Sequence, residues 1–275
     1  MTMAVAEDPA ETRKLDRNTI IPFLVVLLVA AASVAPFLFL VVTSLLPTDD
    51  GGFGALWGRL FTTIPVTTYL LNSAIVSAGA TFVVLIASCM AGYGFFKLRY
   101  PGSNQVFLTL IACISVPLAT TIIPNYFNFA QLGGIGTYWG PIVMYAGGAT
   151  PFATVLMTNF FKSLPDELVE SGIVDGATYW QVFHLILLRL ATPALLTVGV
   201  LCFLGTWNDL LVGLLFLPDP GMRTISVGIA ALQGVRSTNI DMILTGSLLS
   251  AIPPIVTFVL FQKYLVAGIT AGISK

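Results

Sequence analysis

Leu164-Pro-Asp-Glu-Leu-Val-Glu-Ser-Gly-Ile-Val-Asp-Gly-Ala-Thr-Tyr-Trp-Gln-Val-Phe-His-Leu-Ile-Leu-Leu-Arg-Leu-Ala-Thr-Pro193 is the stretch whose reading decides the fold. It holds Asp166, Glu167, Glu170 and Asp175, four of the 13 acids, in a chain that is only 9% charged and 56% hydrophobic. Such a cluster belongs in water or against another protein, because unpaired charges are costly in an apolar medium. The pattern predicts two short helices with a break between them. Pro165 can open the first, with Asp166 and Glu167 at its positive end. Asp175-Gly176 breaks it, since glycine tolerates the positive φ of a sharp turn. Thr178 and Gln181 have capping-box spacing for the second helix. On that helix Val182, Phe183, Ile186, Leu187 and Leu190 fall on one face. A polar helix–turn–helix between oily runs points to a docking element.

Outward from this stretch the chain is membrane-like. Its mean hydropathy is +0.92, and soluble domains carry about 25% charged residues. Residues 1–19 are polar and mixed in charge and read as a tail. Residues 20–275 read as one membrane domain. Six apolar runs follow at about 21–46, 69–95, 106–123, 141–161, 195–217 and 242–264, each near the ~20 residues that cross a bilayer. Backbone groups in lipid must be satisfied internally, and the runs lack a strand's alternation, so all six are expected to be helices. The fold class is therefore all-α, with six spanning helices and one cytoplasmic helix between spans 4 and 5. Pro36 and Pro253-Pro254 lie inside runs and are expected to kink them. The first run is long and lacks a small-residue cleavage site, so it is read as a retained span.

Lysine and arginine set the orientation. With the N-terminus inside, Arg13, Lys14, Arg17, Lys97, Arg99, Lys162, Arg189, Lys263 and Lys275 are cytoplasmic, against Arg59, Arg223 and Arg236 outside. That asymmetry places residues 164–193 in the cytoplasm, on the same side of the membrane as the N-terminus. The formal net charge of −1 gives no electrostatic basis for binding nucleic acid.

The same residues carry a resemblance. Glu170-Ser171-Gly172, Asp175-Gly176-Ala177, Phe183, Ile186, Leu188 and Pro193 resemble the EAA loop of ABC importer permeases. Trp207-Asn208-Asp209-Leu210 and the tail from Phe261 to Gly272 resemble the carbohydrate-importing, maltose-transporter-type branch. The likeness runs from about Leu70 to the end. Ser171 and Gly172 stand where two alanines are usual, and Arg189 where a proline is usual. The resemblance implies the type I importer fold and coupling to a separate ATPase through Glu167, Glu170, Ser171, Gly172, Asp175, Gly176 and Ala177. It also implies a second homologous permease, two ATP-binding cassette subunits and an extracytoplasmic solute-binding protein. The expected cargo is a sugar or oligosaccharide, with glycerol phosphate or another polar solute as alternatives.

No nucleophile–base set marks an enzyme. No Gly-x-x-x-x-Gly-Lys-Ser/Thr cradle is present, so ATP is expected on partner subunits and no cofactor on this chain. His184 stands alone, and Cys89, Cys113 and Cys202 have no metal-like spacing, so no metal site is expected. Asp209 falls inside the fifth apolar run, where a carboxylate is costly. It either hydrogen-bonds a neighbouring helix or meets substrate. Trp207 and Asn208 either line the path beside it, or Trp207 is a membrane-interface anchor and Asn208 reinforces the structural hydrogen bond of Asp209. Gln233, Gly234 and Arg236 lie in the longest outer loop, which either contacts the binding protein or is passive. A secondary transporter would need a relay of intramembrane acids, and only Asp209 qualifies; a membrane scaffold would recruit no ATPase.

Two measurements test these readings. Deleting residues 234–238 should weaken stimulation of transport by the binding protein, whereas full stimulation removes that contact. Gly176→Asp should leave the protein in the membrane yet abolish solute-stimulated ATP turnover in the reconstituted complex.

Overall fold

The computed structural model describes residues 17–45, 53–97, 101–233 and 240–273. Among the described residues the regular structure is helical apart from an isolated bridge residue at Gln233. In chain order the helices are α1 (Arg17–Leu45), α2 (Phe53–Thr63), α3 (Val66–Lys97), α4 (Ser103–Ile114), α5 (Leu118–Gln131), α6 (Trp139–Lys162) and α7 (Glu167–Val174). Then come α8 (Tyr179–Val182), a π-helical turn (Phe183–Leu187), α9 (Leu188–Leu190), α10 (Thr192–Asn208), α11 (Leu211–Phe216), a 3₁₀ turn (Pro220–Met222), α12 (Ile225–Ala230) and α13 (Ile240–Ile273). Four helices are long and apolar enough to cross a membrane: Ile20–Leu45 within α1, α3, α6 and Ile240–Leu265 within α13. Two bent pairs bring the number to six. Of the expected tail, residues 1–19, the last three belong to α1; residues 1–16, with Gly234 and Arg236, lie outside the described residues.

The scaffold is the pairing of α3 with α6, the most extensive helix contact in the fold. Small residues make it close. Ser77, Ala80, Ser88, Cys89 and Gly92 of α3 are buried, as are Ala146, Ala153, Thr154 and Thr158 of α6. Between membrane helices, lipid is as apolar as leucine, so close backbone approach and packing supply the attraction. At Gly92 the approach is to the partner helix's own backbone: a Cβ there would lie 2.8 Å from Cβ of Met157 and 3.0 Å from the Thr158 nitrogen. α10 packs on the other side of α3 and also against α13.

Two expected spans differ from the structure. The third, at 106–123, is interrupted by a 101° bend between α4 and α5. Pro117 sits there with ψ 135° and cannot continue the helical hydrogen-bond ladder, and a residue before proline avoids the helical region. The fifth, at 195–217, is a helix only to Asn208; Asp209 is extended, with ψ 138°, and α11 follows. Hydropathy is blind to both breaks because the flanking residues stay apolar. The expected loops are also more ordered: α2 lies within 47–68, α5 reaches Gln131, and α12 lies within 218–241. α1 runs on through Pro36, and α13 through Pro253 and Pro254, without a break in either helix.

Basic residues separate by end. Lys97 and Lys162 close α3 and α6 where Phe96 and Phe161 stack, 6.4 Å between centroids. Lys263 sits beside Tyr264, whose carbonyl accepts a hydrogen bond from Thr197 near the start of α10. Arg223 is at the opposite end, where its carbonyl and that of Gly221 accept from the amide of Asn72.

Gly92→Leu should overpack the α3–α6 seam and cost roughly 1–3 kcal/mol. A lowered thermal midpoint of the purified protein checks this; an unchanged midpoint would show that the seam can yield.

Candidate functional site

The polar stretch forms an elbow. α7 ends in a Schellman turn: Ala177 N–H donates to Gly172 O at 3.0 Å and Gly176 N–H to Ile173 O at 3.0 Å. Gly176 has φ +85°, which is strained for residues with a Cβ. The capping box is formed, with Thr178 N–H donating to Gln181 Oε1 at 2.7 Å and Gln181 N–H to Thr178 Oγ1 at 3.3 Å. Val169 and Gly172 face inward and join α7 to the second arm. A Cβ on Gly172 would lie 2.9 Å from Cγ2 of Val182. Glycine at 172 therefore lets the two arms of the elbow touch.

The second arm seats the elbow on the bundle. Val182, Phe183 and Leu187 are buried with Met157, Phe161 and Val169 in one cluster. Tyr93 of α3 stacks on Phe183 at 4.8 Å and donates its hydroxyl to Tyr179 O at 3.2 Å. Leu190, expected on the same face, is exposed, and Ala191 is buried instead. The π turn at 183–187 supplies the reason, because its extra residue per turn shifts the register that follows.

The outer surface of the elbow is mixed. Asp166, Glu167, Glu170, Ser171, Asp175 and Gly176 are exposed, and Ala177 is half-buried. Beside them lie Val174, 85% exposed, and Trp180, 59% exposed, with Tyr179 and Leu185 also open. Sequence reading found the acids and the glycine but passed over these apolar groups. Their signal was present, since Val174 and Trp180 fall off the buried face of their own helices. His184 lies among them, its Nδ1 2.6 Å from Trp180 O.

The second feature is a cavity of about 680 Å³ where the α4–α5 bend meets α6 and α10. Asp209 is at its wall. One oxygen, Oδ1, accepts from the Tyr145 hydroxyl at 2.8 Å and from Val212 N–H at 2.9 Å. The carboxylate thus bridges α6 to the first turn of α11 across the break. Thr121, Asn125, Phe129 and Thr206 share the wall; none was singled out from sequence, because the bend that gathers them was not foreseen. The other two members of the Trp-Asn-Asp triplet point elsewhere. Trp207 is buried and donates its indole N–H to Ser250 O at 3.0 Å. Asn208 is exposed and donates back to Leu204 O at 2.9 Å. Gln233 is exposed just beyond α12. Among the described residues no cluster of three His, Cys, Asp or Glu could hold a metal ion.

Residues 84–271 match the family described as binding-protein-dependent transport system inner membrane component. The chain is 29% identical over 285 residues to "Probable ABC transporter permease protein YurM" of Bacillus subtilis, covering 98% of this chain and 93% of that one. It is 30% identical to the "Trehalose/maltose transport system permease protein MalG" of Thermococcus litoralis, over 78% of this chain and 77% of that one. In structure it resembles, with TM-score 0.75 and 21% identity over 94% of this chain and 99% of the other, a bacterial ABC transporter involved in the import of the acidic polysaccharide alginate. With a family match over most of the chain and an all-helical fold shared with an ABC importer, this protein belongs to the binding-protein-dependent transport system inner membrane components: it is a permease subunit of an ABC importer.

Proposed function

We propose that this chain is one of two homologous permeases in an importer for a sugar or oligosaccharide, driven by two ATPase subunits that dock on its elbow. The observation that carries the reading is the elbow itself. Its inner side is locked into the bundle through Val169, Val182 and Leu187, while its outer side offers exposed acids and exposed Val174 and Trp180. An apolar patch rimmed by charge is the usual make-up of a protein-binding surface. Glu167, Glu170 and Asp175 would pair with basic groups of the ATPase, with Ser171 at the contact. Gly172, Gly176 and Ala177 shape the turn that presents them.

In operation, ATP binding and hydrolysis take place on the partner subunits, and this chain holds no cofactor of its own. Closure of the ATPases pushes the elbow. The push enters α3 and α6 through Tyr93, Phe161 and Phe183, which are in ring contact. The helices then open outward, receive solute from the binding protein, and release it inside. The cavity at Asp209 is the part of the path on this chain. The N-terminus and the elbow lie in the cytoplasm of a bacterial cell, in line with the basic residues at that end. The outer loop from Gln233, including Gly234 and Arg236, reaches the binding protein. The names of the relatives support a carbohydrate cargo: trehalose and maltose for one, α-glucosides for the 31% identical "Alpha-glucoside transport system permease protein AglG" of Rhizobium meliloti.

The test is ATP turnover in the reconstituted complex with its binding protein, across neutral sugars and glycerol phosphate. A sugar should stimulate it, and Val174→Glu should remove that stimulation while α3–α6 stability is kept. Stimulation by glycerol phosphate alone would overturn the sugar reading. Full stimulation in Val174→Glu would overturn the docking surface.

A further inference from the structure

The cavity at the α4–α5 bend has an unbalanced chemistry. Its wall holds one carboxylate, Asp209, and no lysine or arginine. Asp209 uses Oδ1 for both of its hydrogen bonds, to Tyr145 and Val212. Among the described residues its Oδ2 has no protein partner. Asn125, one helix away, donates its amide to Thr121 O at 2.9 Å. That fixes the amide orientation and leaves its Oδ1 as an acceptor. The Tyr145 hydroxyl proton is already committed to Asp209. The fixed polar groups therefore present the free oxygens of Asp209 and Asn125 as acceptors, with the second amide N–H of Asn125 as a remaining neutral donor, and the remaining wall is largely apolar.

From this arrangement the geometry points to a selectivity device: Asp209, with Asn125, makes the path accept uncharged, hydroxyl-rich solutes and reject anionic ones. This deepens the proposed function and rests on the cavity being the path. A sugar hydroxyl is a donor and can satisfy Asp209 Oδ2 and Asn125 Oδ1. A solute carboxylate or phosphate brings only further acceptors and a like charge. No cationic group on the wall would offset the charge, and specificity is set as much by such repulsion as by attraction. A carboxylate with low-dielectric walls also concentrates cations over anions in the cleft. Asp209 is thus both the clamp across the broken span and the source of the cavity's field. Acidic sugars and glycerol phosphate fall outside the predicted range.

The protein carries its own reporter. Cys113 is exposed and lines this cavity; Cys202 also lines it but is buried, as is Cys89, so a Cys202→Ala background confines the labelling to Cys113. The intact complex in lipid nanodiscs would be treated with cationic and anionic methanethiosulfonates of equal size, and labelling of Cys113 timed. The cationic reagent should react about tenfold faster. Asp209→Asn should bring the ratio close to one, and Asp209→Glu should restore it. Where Cys113 is covered by the second permease, Thr121→Cys in a Cys113→Ser background carries the same measurement. Maltose should slow the labelling, and maltobionate, its aldonic acid, should not, until Asp209→Asn admits it. A ratio indifferent to Asp209, or protection by maltobionate equal to that by maltose in the unmodified protein, overturns the selectivity role. A normal charge ratio with no protection by either probe instead removes the path reading, and this inference with it.

Discussion

Close contact between α3 and α6 is the constraint on which the other features depend. Water does not drive the two helices together, so the seam relies on how near the backbones can come. Gly92 marks that limit against Met157 and Thr158. The consequences run both ways along the seam. Toward the basic end it sets Tyr93, Phe96 and Phe161 as the seat for the second arm of the elbow. Toward the other end it sets Tyr145 where its hydroxyl meets Asp209. Elbow and cavity are thus fixed to the same pair of rods.

Breaks in membrane helices need local satisfaction, because freed amides and carbonyls find no water in hydrocarbon. The breaks at Pro117 and Asp209 meet this in different ways. At Pro117 the missing N–H removes one demand, and the next turn begins with Thr120 N–H donating to Pro117 O at 3.1 Å. At Asp209 a side chain takes over, accepting the Val212 N–H from within the gap. The costly residue is therefore also the one that makes the interruption stable. Its exposure to a cavity, and not to lipid, keeps the cost tolerable.

Much of this was legible in the sequence, and the rest was not for definite reasons. The elbow was legible because its signals are local: Thr178 with Gln181, Gly176 after Asp175, acids clustered in a sparsely charged chain. Helical spans were legible because bilayer thickness fixes their length. The bends were not, since a hydropathy window averages over direction and Pro117 lies in a run that stays apolar. Trp207 and Asp209 are two residues apart and were read as one motif. The helix ends between them, and their side chains go to different places: one into the core, one onto the cavity wall. Leu190 was misplaced because regular 3.6-residue spacing has no room for a π turn. The apolar skin of the elbow went unnoticed because attention went to charge.

α1 has no buried residue in its most apolar window, which has a mean hydropathy of 2.8. Within that window the surrounding bilayer and the helix's own backbone hold it more than burial does, although α1 also touches α13 and α2. During synthesis such a segment can enter the bilayer and stand alone before any later helix exists. Helices α3, α6 and α10 carry buried serines and threonines and are committed only once they meet.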